Sequence, residues 1–204
     1  EKEDLINHLA RFFEKHLDID RILSIANGPA VKKTLISKKA AQKKTEKRPH
    51  VKIGIFYDNA FSFYYPENIE ALEKEGAQIV HIDSSKDKTL PDIQGLYIGG
   101  GFPEIYASEI AKNTSLLKEV ASAIEDWMPV YCECGGLMYL SSGIKTENGF
   151  FEMAKIIPSI VEKKGSPQGH GYMEVEVITE NPFLKKGTKV KGHEFHYSRL
   201  IKDR

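Results

Sequence analysis

The chain has 204 residues with 29 basic and 29 acidic side chains, so its formal net charge at pH 7 is zero. That balance removes any global pull toward nucleic acid or an anionic membrane surface, and no apolar run approaches the ~20 residues of a membrane span. Two cysteines one residue apart form no disulfide framework and fit a reducing, cytoplasmic compartment. A structural zinc needs about four ligands, and no second Cys or His pair stands at suitable spacing, so no metal site is expected.

The N-terminus, Glu1-Lys2-Glu3-Asp4, is charged, has no signal-peptide core and starts without methionine, which reads as a piece of a longer chain. Leu5, Ile6, Leu9, Phe12, Phe13 and Leu17 then recur at helical spacing. Asp18 or Asp20 is placed to cap a second short helix carrying Ile22, Leu23 and Ile25. Residues 30–49 are basic from Lys32 to Arg48 against the single acid Glu46. With no aromatic or Gly-rich element beside the charge, this reads as a solvated interdomain linker and not as a nucleic-acid patch.

From His50 onward strands alternate with helices. Val51–Tyr57 is an apolar strand, and Pro66–Glu75 a helix with Ile69 and Leu72 inward, closed by Gly76. Ala77–Ile82 and Gly95–Ile98 are strands, Ile105–Lys112 and Leu116–Trp127 helices, and Pro129–Glu133 a fourth strand. This alternation predicts an α/β fold with a mostly parallel sheet and helices on both faces. Tyr172–Thr179, with Val175 and Val177 alternating against Glu174 and Glu176, predicts a half-buried strand, and Lys189–Tyr197 another. Both are assigned to an antiparallel extension of the sheet.

In such sheets ligands bind beyond the carboxyl ends of the strands, and three unusual segments fall there. Asn59–Asn68 carries Phe61, Phe63, Tyr64 and Tyr65, aromatics that either pack under the next helix or bind something flat. Gly99-Gly100-Gly101-Phe102-Pro103-Glu104 offers backbone N–H groups unobstructed by Cβ, and with the N–H of Gly135 these would hold an oxyanion. It is no phosphate loop, because Gly-x-x-x-x-Gly-Lys-Ser/Thr occurs nowhere in the chain. In Val130-Tyr131-Cys132-Glu133-Cys134-Gly135-Gly136 a strand feeds a cysteine and two glycines, the order of a nucleophile elbow. The plainer reading makes Cys134 a small buried hydrophobe, which the glycine pair disfavours. A thiolate needs a basic partner. Of seven histidines His196 leads, ahead of His193 and His170, and the opposite strand parity of 193 and 196 lets only one of those two meet Cys134.

Four segments together carry a resemblance: Glu133–Leu140, Phe63–Asn68, Gly99–Glu104 and Gly192-His193-Glu194-Phe195-His196-Tyr197-Ser198. In that combination the chain resembles the cobyrinic acid a,c-diamide synthase family, over its C-terminal class I glutamine amidotransferase domain of the cobyric/cobyrinic type. The resemblance implies a flavodoxin-like amidotransferase domain over 50–204, and in 1–29 the helical remnant of a preceding ATP-dependent synthetase domain. It implies that Cys134 attacks the side-chain amide of glutamine, that His196 activates the thiol and protonates departing ammonia, and that N–H groups at Gly100, Gly101 and Gly135 stabilise the oxyanion. Tyr64, Tyr65 and Glu67 become candidate contacts to substrate or to the synthetase domain. Ammonia would then amidate the a- and c-acetate chains of a corrinoid, with ATP and Mg²⁺ used by the synthetase domain and no cofactor held here.

Two positions depart from the family pattern. Many class I amidotransferases carry glutamate two residues after the histidine, whereas this chain has Ser198, which leaves open what orients the imidazole. Cys132 stands where a small residue is common and is read as packing, with oxidative pairing to Cys134 as the alternative. A Ni-sirohydrochlorin a,c-diamide synthase would carry the same motifs, and a catalytically idle docking module is the reading outside enzymology. A homodimer stands as the candidate assembly.

Overall fold

The computed structural model describes residues 2–27, 51–181 and 183–202, in two compact units, 1–47 and 48–204. The basic segment 30–49 and His50 lie outside the described residues. In the first unit, helix α1 (Lys2–His16) starts with Glu3 and Asp4 and ends with Lys15 and His16, charges placed to suit the helix dipole. Helix α2 (Ile19–Ala26) is capped by Asp18, which accepts from Arg21 N–H at 2.9 Å; Asp20 sits inside its first turn. The apolar residues of both helices are exposed.

The second unit begins as the alternation predicts. Strands β1 (Val51–Phe56), β2 (Ala77–Ile82), β3 (Gly95–Ile98) and β4 (Val130–Cys132) form one parallel sheet in the order β2-β1-β3-β4. Helices α3 (Pro66–Lys74), α4 (Ala107–Lys112) and α5 (Thr114–Glu125) supply the crossovers that parallel pairing requires. Helix α3 opens with Pro66 at its first position and turns Ile69 and Leu72 toward the protein. Helix α5 buries Leu116, Leu117 and Val120 and stops two residues before Trp127. There Trp127 N–H donates to Ile124 O and Met128 N–H to Ala123 O, closing the helix with Trp127 at φ 67 where glycine is usual.

The core centres on an edge-to-face triangle of rings. Phe56 packs against Phe61 at 5.4 Å and against Tyr139 at 4.9 Å between centroids. All three are fully buried beside Ile98, Ile110, Leu116 and Val120, each such apolar side chain contributing roughly 1.5–3 kcal/mol. So the aromatic run after β1 divides: Phe61 packs, while Phe63 and Tyr65 stay exposed.

After the short helix α6 (Gly135–Leu140) the chain turns directly into a second four-stranded sheet. It comprises β5 (Ser141–Thr146), β6 (Gly149–Glu152), β7 (Ile157–Lys163) and β10 (Ser198–Lys202), in the order β10-β7-β5-β6. Only the β5/β7 pair is parallel. Strands β8 (Gly169–Glu176) and β9 (Lys189–His196) form a separate antiparallel ribbon. The antiparallel strands therefore exist, but they pair among themselves and do not extend the parallel sheet. Its β4 edge is three residues long. On the ribbon Val175 is exposed, not half-buried as its alternation suggested. Among the described residues no helix is long and apolar enough to cross a membrane.

Candidate active site

Strand β4 delivers Cys134 onto a sharp turn. Cys134 has φ 50 and ψ −108 as the N-cap of α6, a backbone state that costs a non-glycine residue about 1–3 kcal/mol and gathers at functional sites. Close approach forces Gly136 and crowds Gly135 behind it. A Cβ on Gly136 would lie 2.3 Å from Ile98 O, and one on Gly135 would lie 3.1 Å from Pro103 Cδ. Gly136 N–H also donates to Gly99 O at 3.0 Å, pinning the elbow to the triglycine loop. Cys134 is exposed, so the buried-hydrophobe reading fails. Cys132 is half-buried against the core, its thiol pushed up by burial and by the Glu133 charge, and both thiols are free.

The triglycine loop and the elbow supply two of the three N–H groups expected of them. Gly100 N–H donates to Phe63 O at 3.1 Å while Phe63 N–H donates back to Gly100 O at 3.0 Å. This corrects the assignment of Gly100 as an oxyanion donor: its N–H is committed to a bridge. Gly101 and Gly135 N–H groups donate to no acceptor among the described residues. Gly101, at φ 156, admits no side chain, since a Cβ would sit 2.0 Å from Ala60 O.

A second correction concerns Tyr64. Its hydroxyl donates to Phe56 O and accepts from Gly99 N–H at 2.9 Å, and its ring fills the space where a Gly99 Cβ would point. Burial, the dominant influence, pushes that hydroxyl well above the usual tyrosine range. Tyr64 latches the loop to the end of β1 and is not presented to a ligand. Tyr65 is exposed and lines the cleft beside Cys134, whereas Glu67 is exposed in the first turn of α3, away from it.

That cleft, about 850 Å³, brings Cys134 together with Gly101, Glu104, Glu133, Glu194 and His196. His193 also lines it, and His170 does not. What distinguishes the two histidines is how they are held. His193 meets the rings of Tyr172 and His170 edge-on and is exposed. His196 is half-buried, with Nδ1 donating to Ser198 O at 2.7 Å and Nε2 lying 3.3 Å from Glu194 Oε2. Ser198 thus orients the imidazole through its backbone carbonyl, where other enzymes use a carboxylate. A carbonyl oxygen only accepts, so Nδ1 carries the proton of that contact and Nε2 is the nitrogen beside Glu194. Gly169, opposite His196 in the ribbon, leaves the room: a Cβ there would lie 2.3 Å from His196 Nε2 and 2.8 Å from Glu194 Oε2.

Three contributors escaped the sequence reading: Glu194, Gly169 and the Ser198 carbonyl. Only Glu194 had a signal, a carboxylate on the same strand parity as His196. Among the described residues no group of three or more His, Cys, Asp or Glu side chains converges to hold a metal ion.

Comparison with known proteins bears on this geometry. Residues 52–204 match the family described as the CobB/CobQ-like glutamine amidotransferase domain. The chain is 41% identical over 197 residues to the cobyrinate a,c-diamide synthase of Archaeoglobus fulgidus, covering 97% of this chain and 42% of that protein. To the cobyrinate a,c-diamide synthase of Methanothermobacter thermautotrophicus it is 45% identical over 154 residues, covering 76% of this chain and 34% of that protein. The chain thus spans about two fifths of the length of the curated relatives it matches. A solved structure from Thermoplasma acidophilum, named for GMP synthase, aligns with a TM-score of 0.50 at 21% identity, covering 77% of this chain and 70% of that chain; this likeness speaks to the fold alone. Matched over three quarters of its length, the chain belongs to the CobB/CobQ-like glutamine amidotransferase domain family.

Proposed function

We propose that the second unit is the glutaminase half of a glutamine- and ATP-dependent cobyrinate a,c-diamide synthase acting in the cytoplasm. The observation that carries this reading is Cys134 at positive φ in one cleft with a doubly held His196 and the two unpaired N–H groups of Gly101 and Gly135.

In this mechanism the Cys134 sulfur bonds to the side-chain amide carbon of glutamine, and the carbonyl electron pair moves to oxygen. The unpaired N–H groups of Gly101 and Gly135 receive that charge in this reading. His196 takes the thiol proton and returns it to the nitrogen, so ammonia leaves as the carbonyl reforms in a thioester. Water, deprotonated by the same imidazole, then adds to the thioester and releases glutamate and the thiol. Ammonia passes to a synthetase domain, whose acceptor is a carboxylate of a corrinoid. The names of the relatives favour the corrinoid over a nickel sirohydrochlorin.

ATP and Mg²⁺ belong to that further domain. That assignment rests on the absence of a phosphate-loop sequence from this chain. No step in the cleft runs through either.

The test is labelling with 6-diazo-5-oxo-L-norleucine, a glutamine-like diazoketone, followed by peptide mapping. One equivalent on Cys134 is the expected result. No labelling, or labelling at Cys132, would overturn the reading and favour an idle docking module.

A further inference from the structure

Three carboxylates line the cleft beside Cys134, and two of them are occupied. Glu133 accepts from the Tyr97 hydroxyl at 2.6 Å and from the Tyr131 hydroxyl at 3.3 Å. Glu194 faces His196. Glu104 has neither a hydrogen bond nor an ion pair among the described residues, and its Oε2 is sealed from solvent with no donor. A buried carboxylate oxygen without a partner is costly, and a cleft that maintains one invites a cation.

Its position is fixed by its surroundings. Glu104 follows Pro103, which is buried and packs on Gly135 directly behind the nucleophile. Phe102 N–H donates to Ala60 O and Ile105 N–H to Phe102 O, tying the backbone on both sides. The acid is thus a rigid feature of the cleft wall, one turn of chain from the N–H groups expected to receive the oxyanion. Nothing in the proposed amide chemistry uses it.

We propose that Glu104 is the receptor for the α-ammonium group of the substrate amino acid, and so sets the preference for an α-amino acid over a simple amide. The inference rests on the glutaminase reading above. Its chemistry follows from the substrate: glutamine presents its amide at one end and a primary ammonium a few bonds away. An ammonium placed against Glu104 anchors the molecule with its amide carbon toward Cys134. Charge-assisted hydrogen bonds of this kind are worth about 1.5–3 kcal/mol, or on the order of 10–100-fold in reactivity.

The experiment compares second-order inactivation of the 204-residue chain by 6-diazo-5-oxo-L-norleucine and by its des-amino analogue, 6-diazo-5-oxohexanoate. The unaltered chain is expected to react about 10–100-fold faster with the amino compound, and Glu104→Gln is expected to reduce that ratio to within a few-fold of unity. Glu104→Asp, which keeps the charge on a shorter arm, should retain part of the preference. An unaltered chain that labels at Cys134 with both reagents at equal rates overturns the Glu104 assignment without any variant having to fold. A ratio untouched by Glu104→Gln overturns it too. In both cases labelling at Cys134 leaves the glutaminase reading standing. If neither reagent labels Cys134, both fall together.

Discussion

At the scale of single residues, the site divides into groups that act and groups that place them. Of the two thiols Cys134 is the exposed one, and it is held at a positive φ at the strand-to-helix turn. Cys134→Ser is expected to abolish glutamine-dependent amidation in the complete protein while added ammonia still supports it; glutamine-dependent turnover by that variant would show the nucleophile is wrongly assigned. The two histidines are separated by their bonds. His196 is fixed through both ring nitrogens, so His196→Ala is expected to lower glutamate release by roughly 10²–10⁴-fold, the usual worth of a positioned acid–base group. His193→Ala should cost less than a tenth of that, and the opposite order in steady-state assays would exchange their roles. Side-chain type and motif singled out Cys134 and His196, which share one cleft, but strand parity did not exclude His193, which lines it too. The role of Ser198 was not legible, since it acts through a carbonyl that every residue possesses. Gly100 was misread for a related reason: a glycine advertises room for a ligand, but its N–H had been taken by Phe63.

At the scale of elements, the alternating half of the chain was readable and the rest was not. Strand β2 lies where its apolar alternation placed it, and β1, β3 and β4 agree within two residues. Parallel strands buried between helices are continuous apolar runs with glycine and proline punctuation. Strand β5 escaped because Ser141, Ser142 and Gly143 look like a loop, yet all three are buried, with the Ser141 hydroxyl donating to Met138 O at 2.7 Å. The aromatic run after β1 was seen as a feature but not resolved into its parts. Tyr64 is its structural member, so Tyr64→Phe should leave Phe56 O and Gly99 N–H without their partner and cost about 1–3 kcal/mol. Tyr65→Phe, at an exposed ring, should stay within ~0.5 kcal/mol; urea midpoints for the two variants decide it. The second sheet carries its own pH signature. Glu162 on β7 is ringed by Lys164 at 2.6 Å, Arg199 of β10 at 2.9 Å and Lys145 of β5 at 3.3 Å. Lys164 and then Arg199 hold its carboxyl at about 2 instead of the ordinary 4.5. A depressed folded-state value means the stabilisation is complete above about 4.5 and disappears as pH falls toward 2. The difference in urea midpoint between the natural chain and Glu162→Gln should therefore be full at neutral pH and shrink through that window. A difference independent of pH would assign Glu162 a packing role only.

At the scale of the whole molecule, the two halves of the proposed catalytic pair rest on supports of unequal firmness. Cys134 stands between a strand paired into the parallel sheet and a helix whose Tyr139 and Leu140 are in the core. His196 ends a two-stranded ribbon that pairs only with itself, and two-stranded ribbons are marginal unless something packs on them. The ribbon's face is open: Tyr172 is 95% exposed and Phe195 55%. A thiol and an imidazole must stay within hydrogen-bond reach for proton transfer, and displacement by about an ångström costs on the order of 10²-fold. The curated relatives are more than twice as long as this chain, and a further part of such a protein packed on the ribbon would hold His196 more firmly. The 204-residue chain alone is accordingly expected to release glutamate from glutamine at no more than about a hundredth of the rate of the complete protein, while its Cys134 still accepts the diazoketone. Simple thiol alkylation by iodoacetamide should proceed at similar rates in both, because it needs no imidazole. Equal glutamate release by the 204-residue chain and by a chain that includes the proposed synthetase domain would mean that the ribbon is already rigid and that His196 is held in place by the Ser198 carbonyl and Glu194 alone.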